Sequence, residues 1–263
     1  MIFRSLISKL RQGDWFIFLL EVVLLAAGLV AAFQVDRWWE QRAERAEERV
    51  YIQRLIGNIE ADIPALNKLI ETQALRLDYT DLLIQVSQDP KSVTERSGEF
   101  LAAIIGASYT NYATLRSYTF DDLRSTGNLT VILSSEVKEE LYDYYEFDRH
   151  QANFRGLFIS TEFRHWELAS GVMSHTQRRW LQDNQIFALP ANVPLLRKTK
   201  QDTEEILAAA ERLVVDQDLV DWLPQLREVQ TYLIFTLERQ VERADDLLNV
   251  LRDYADKIET KRQ

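Results

Sequence analysis

A chain of 263 residues with no cysteine can form no disulfide and use no thiolate, which excludes disulfide scaffolds and cysteine chemistry. Its 41 acidic residues outnumber 31 Lys and Arg for a formal net charge of -10, with no dense basic block, which argues against nucleic acid as a partner. Only 8 Gly and 5 Pro, against many Leu, Glu, Arg and Ala, favour long helices over sheet.

Residues 1–14, MIFRSLISKLRQGD, read as a short basic, partly amphipathic lead, with Ile2, Phe3, Leu6, Ile7 and Leu10 at helical spacing, expected on the cytoplasmic surface of a membrane. Residues 15–35, WFIFLLEVVLLAAGLVAAFQV, then form a nearly unbroken apolar run. As a helix it rises about 31 Å, which matches a bilayer's hydrocarbon core, so a single transmembrane helix is predicted. Trp15 at one end and Trp38 and Trp39 at the other stand where amphipathic rings anchor at the headgroups. The rival reading is a secretory signal cut at the small residues Val30, Ala31 and Ala32; the length of the run and Glu21 inside it argue against cleavage.

Glu21 is the sharpest feature of the span. It lies about 9 Å into the helix from Trp15, where facing lipid would cost on the order of 3 kcal/mol. Glu21, Leu25, Gly28, Ala32 and Val35 recur three or four apart and share one face, and the small residues Gly28 and Ala32 let another helix come close. A contact across two helices, or snorkelling to the near interface, is preferred over proton-linked work by Glu21. The partners this implies are membrane lipid and either a second copy or another membrane protein, met through the transmembrane helix.

Residues 36–62 are predicted to continue as a charged helical stalk, with residues 63–263 forming a helical bundle. Trp39, Ala43, Ala46, Val50, Leu55, Ile59, Ile63, Leu66 and Ile70 recur mostly three or four apart. Pro64 is expected to bend this helix or restart it near Asp62, and Gln88, Asp89 and Pro90 to stop it near Ser87. A second helical region over residues 94–124 should break near residues 106–110, where strand is left open. Gly127 fits a helix C-cap, Leu129, Val131 and Ile132 a short apolar connector, and Ser134 or Ser135 the cap of a new helix with Glu136, Glu139 and Glu140 in its first turns.

That helix is predicted to run to Ser170, with Leu141, Tyr144, Tyr145, Phe154, Leu157, Phe158, Phe163 and Trp166 as core positions. Residues 174–200, with Pro190 and Pro194, read as a long surface loop with local helix. Residues 203–214 form a short helix and residues 225–258 a long one, with Leu226, Val229, Leu233, Leu237, Val241, Ala244, Leu248, Leu251, Ala255 and Ile258 on one stripe. The fold expected is all-α: one N-terminal transmembrane helix continuing into a stalk and an antiparallel helical bundle whose C-terminus returns to the membrane side.

Two segments carry a likeness to a known family. In the first, Glu21 opens the span, Gly28 follows, and the exit reads AAFQVDRWWEQRAE; the second is FDDLRSTGNLTVILSSEVKEELYDYY, residues 120–145. Together they resemble an uncharacterised family of bacterial single-pass membrane proteins, a domain of unknown function. Members typically show two asparagines before the exit tryptophan, where this chain has Asp36 and Arg37, with Gln34 in place. The resemblance implies membrane anchorage and a helical body; it brings no catalytic residues.

No metal, cofactor or catalytic motif is legible. His150 and His165 stand fifteen apart on one predicted helix, more than about 20 Å apart by rise, and His175 adds no ligand spacing. Asp143, Glu146, Glu162 and Glu167 read as solvated charges, and Tyr142, Tyr144, Tyr145 and Phe147 as core rather than the lining of a ligand pocket. The expectation is therefore a membrane-anchored helical interaction or scaffold protein without catalytic activity, a subunit or accessory of a membrane complex. It would sit in a bacterial inner membrane with its N-terminus cytoplasmic and its body in the periplasm. Two alternatives are an extracytoplasmic ligand-sensing bundle and an ion-coupled accessory subunit that uses Glu21.

Overall fold

The computed structural model describes residues 15–184, 190–199 and 201–260, and the lead expected over residues 1–14 lies outside them. Every regular element among the described residues is helical, so the strand left open after Gly106 is not formed.

Helix α1, Trp15–Gln88, is unbroken over 74 residues, a rise of about 111 Å. Residues 19–47 are solvent-exposed on all sides of the helix, and burial begins at Glu48 rather than at Ile63, so only residues 36–47 of the expected stalk stand clear of the body. Beyond that point Ile52, Leu55, Ile59 and Leu66, then Tyr79, Leu82, Leu83 and Val86, form core. Pro64 does not restart the helix. Its ring faces solvent, and the turn before it is held from outside by the buried Asp62, so tertiary bonds override the lost backbone donor.

Asp89 ends α1 and caps a 3-10 turn, Pro90–Glu95, accepting from the Lys91 amide at 3.2 Å. Helix α2, Ser97–Gly106, is buried along nearly its whole length. After a non-helical stretch comes α3, Tyr118–Ser125, which Gly127 terminates at φ 75°, a left-handed conformation that favours glycine. Helix α4, Ser135–Ala152, is capped by Ser134, whose hydroxyl accepts from the Val137 amide at 3.3 Å.

The helix expected to reach Ser170 is two helices. It breaks at Asn153 and Phe154, whose amides donate three residues back to His150 and Gln151, and α5, Arg155–Ala169, begins there. Packing explains the break better than local propensity does: α4 is held to the C-terminal helix through Gln240 and the Tyr144 carbonyl, α5 to α2 through His165 and Ile104. The change of course alters the face that is buried. Leu141, Tyr144, Tyr145 and Phe158 are core as expected, whereas Phe154, Leu157, Phe163 and Trp166 are exposed.

The remaining chain is more helical than expected. The segment read as a surface loop contains α6, His175–Asp183, opened by a Ser174 and Gln177 capping box, and α7, Val193–Lys198. Helix α8, Thr203–Val215, follows, and α9, Gln217–Thr260, starts eight residues before Gln225 and runs through Pro224. Pro224 is the eighth residue of this helix, so it deletes the bond that an amide there would make to the Val220 carbonyl, and the helix continues without it.

Helices α1 and α9 pair in opposite order. Glu48 meets Tyr254, Glu60 meets Arg252, Gln73 meets Gln230 and Asp81 meets Arg227, so the two run in opposite directions and the end of α9 lies beside the point where α1 becomes buried. One apolar cluster gathers Phe100, Leu101, Leu213 and Leu223; the other gathers Ile59, Phe120, Tyr144 and Leu251.

Candidate functional site

The apolar stretch of α1 lies outside the packed body. None of its most apolar window is buried, and Leu25 is 71% exposed. Glu21, Leu25, Gly28 and Ala32 fall on one helical face, and a Cβ built at Gly28 meets nothing within 4 Å. Trp15 is exposed at the start of the described helix, and Trp38 and Trp39 stand edge to face at 5.2 Å beyond its far end, with the Arg42 guanidinium over the Trp38 ring at 5.4 Å.

Three buried polar clamps fasten the rest of α1. The Glu48 carboxylate accepts from the Leu133 amide at 2.7 Å and from the Tyr254 hydroxyl at 2.6 Å. Burial, then the adjacent Glu48 charge, pushes the Tyr254 phenol up to about 12, so it stays a donor. Asp62 accepts from the Arg116 guanidinium at 2.8 Å, the Arg116 amide at 3.2 Å and the Tyr144 hydroxyl at 3.1 Å. Burial, followed by the Asp62 charge, raises the phenols of Tyr144 and Tyr145.

The third clamp joins α1 to α9. Gln73 donates to Gln230, which donates onward to the Ala107 carbonyl at 2.6 Å, while Arg76 donates to Gln73 and to the Tyr109 carbonyl, each at 2.9 Å. Desolvation by burial lowers Arg76 to about 10, against the opposing pull of Glu162. Sequence reasoning passed over these carboxylates as stalk charges, although a signal was present. Glu48, Ile52, Leu55, Ile59, Asp62 and Leu66 are spaced by four, three, four, three and four, so both acids lie in register with the apolar stripe.

The histidines are placed apart. His150 is on α4 and His165 on α5, and His175 opens α6, so the single predicted helix carrying the first two is corrected. His165 is fully buried with Nε2 at 2.9 Å from the Ile104 carbonyl, and burial lowers its pKa to about 4. A neutral ring beside a carbonyl carries its proton on Nε2, leaving Nδ1 a buried acceptor that no group among the described residues meets. No cluster of three or more His, Asp or Glu among the described residues is arranged to hold a metal ion.

Glu162 departs from the expected solvated charge: it is half-buried and accepts from both the amide and the hydroxyl of Thr110. Glu146 pairs with Arg149 and Glu167 with Arg164, and Asp143 is exposed. The four aromatic residues share no cavity. Tyr144 and Tyr145 are core, Tyr142 meets Phe120 edge-on at 5.4 Å, and Phe147 lies under Arg243 at 4.7 Å.

A pocket of about 480 Å³ opens instead between α2, α5 and α6. Ile104, Tyr109, Trp166, Met173 and Leu181 make its apolar wall and Arg178 is its cation. These residues come from separate elements, so no spacing in the sequence announces them. No family model, curated protein or solved structure matches this chain.

Proposed function

We propose that this chain is a membrane-anchored helical interaction or scaffold protein without catalytic activity, serving as a subunit or accessory of a bacterial inner-membrane complex. In this reading the N-terminus is cytoplasmic and the body, an antiparallel helical bundle, is periplasmic. One observation carries the reading: an apolar rod exposed on every side belongs to the same unbroken helix that becomes core from Glu48 onward. So much apolar surface requires a cover, and a bilayer supplies one of the right thickness. Continuity with the core argues for retention over removal as a leader.

Within lipid, Gly28 and Ala32 admit a second helix at close range and Glu21 bonds across that contact, which makes a second copy or a membrane protein the partner. Alkaline carbonate extraction followed by intact-mass measurement tests the anchorage. The full-length chain should stay with the membranes, and a soluble product, or one trimmed behind Ala32, overturns the reading. Crosslinking in mild detergent should give a species that Gly28→Leu removes without moving the melting temperature of the body, and a wild-type chain that is strictly monomeric and partnerless defeats the association.

A further inference from the structure

The pocket between α2, α5 and α6 goes beyond anchorage, because its chemistry selects a ligand. At about 480 Å³ it is within the roughly 300–1,000 Å³ typical of small-molecule sites. Its walls are mainly apolar, with Tyr109 and Trp166 set edge to face at 5.7 Å and Met173 and Leu181 buried beneath. Arg178 is half-buried at this wall, and among the described residues its guanidinium has no carboxylate partner.

Several arginines of the body are paired, Arg96 with Asp78 and Glu99, Arg116 with Asp62, Arg149 with Asp121 and Glu146; what sets Arg178 apart from those left without a carboxylate is that it lines this apolar pocket. A lone cation on an apolar wall attracts one negative charge and repels a cationic ligand. A phosphate dianion would bring more charge than this site can balance, and a neutral molecule would leave the guanidinium without an acceptor. We propose that the pocket binds a small apolar carboxylate, its anionic end on Arg178 and its hydrocarbon or aromatic part against Trp166, Tyr109 and Met173.

The position of the pocket fixes where the ligand comes from. Tyr109 is tied to Arg76, and Arg76 lies 41 residues beyond Val35, about 62 Å by helical rise. If residues 15–35 span a bilayer, a lipid headgroup still in its leaflet cannot reach the site, so the carboxylate arrives dissolved in water.

Equilibrium dialysis of radiolabelled octanoate and indole-3-acetate against the full chain in lipid nanodiscs, corrected for empty nanodiscs, tests the site. Saturable binding of one molecule per chain is expected, and whichever of the two binds more tightly identifies the tail as chain or ring. Arg178→Gln should weaken the preferred anion about tenfold or more, Arg178→Lys by less than about threefold, and Arg239→Gln on a distant exposed face not at all. Octanamide should bind the wild type no better than octanoate binds Arg178→Gln. No saturable binding of either anion, or equal affinity in wild type and a folded Arg178→Gln, overturns the proposal. Should that variant fail to fold, equal binding of octanoate and octanamide to the wild type overturns it as well. None of these readouts depends on whether the chain is anchored or has a protein partner, so failure here leaves that reading standing.

Discussion

Removing the Asp62 carboxylate takes the acceptor from the Arg116 amide and the Tyr144 hydroxyl, while the Arg116 guanidinium, 43% exposed, keeps the Ala61 carbonyl and water. Asp62→Ala should destabilise the body by about 2 to 3 kcal/mol, the range for leaving buried donors unmet, while Asp62→Asn, which keeps an acceptor, costs less. Chemical denaturation followed by circular dichroism measures both, and equal stability of the two variants contradicts the account. His165 makes a second residue-level prediction, in pH. Its pKa is 6.5 in the unfolded chain and about 4 in the fold, so between these values the unfolded chain takes up a proton that the native interior refuses. Its contribution is therefore whole above pH 6.5 and is lost as the pH falls to about 4, by on the order of 3 kcal/mol. His165→Gln, which retains a donor for the Ile104 carbonyl, should flatten the acid side of a plot of melting temperature against pH. An unchanged slope would show that another group controls acid unfolding.

Prolines inside helices mark the level at which local rules yield. Pro64 sits mid-helix in α1 and Pro224 is the eighth residue of α9, yet both helices are unbroken. Interior proline carries a penalty of roughly 3 kcal/mol against alanine, and the exposed ring of Pro64 makes no core contact that would be lost with it. Pro64→Ala should therefore raise stability by about 1 to 3 kcal/mol, read from the denaturation midpoint, and a destabilised variant would mean that the body needs the proline geometry. The reverse failure occurs at Asn153 and Phe154, where no proline interrupts the pattern and the helix nevertheless turns. Contacts with α9 on one side and α2 on the other set that corner.

For the molecule as a whole, the decisive asymmetry lies along α1, exposed over residues 19–47 and packed from Glu48 onward. A chain beginning at Arg37 loses none of the two apolar clusters or three polar clamps, all of which start at or beyond Glu48. It should be recovered from the aqueous fraction as a folded helical protein whose melting temperature is within about 3 °C of the full chain's, a shift of less than about 1 kcal/mol. Aggregation or loss of cooperative melting would assign residues 15–36 a part in the body's fold.

Much of this was legible in residue order alone. An apolar run of fixed length, the stop at Asp89 and Pro90, the Gly127 turn, the Ser134 cap and the stripe of α9 are written in periodicity and in residues with strong local preferences, which act over a few positions. Tertiary structure decided what local chemistry leaves undetermined. It chose which face of α5 is buried, turned Glu48 and Asp62 from stalk charges into clamps, carried two helices across prolines, and brought Arg178 to an apolar wall built largely by two other segments. These outcomes rest on contacts between residues far apart in the chain, and their energies outweigh the propensity of any single turn.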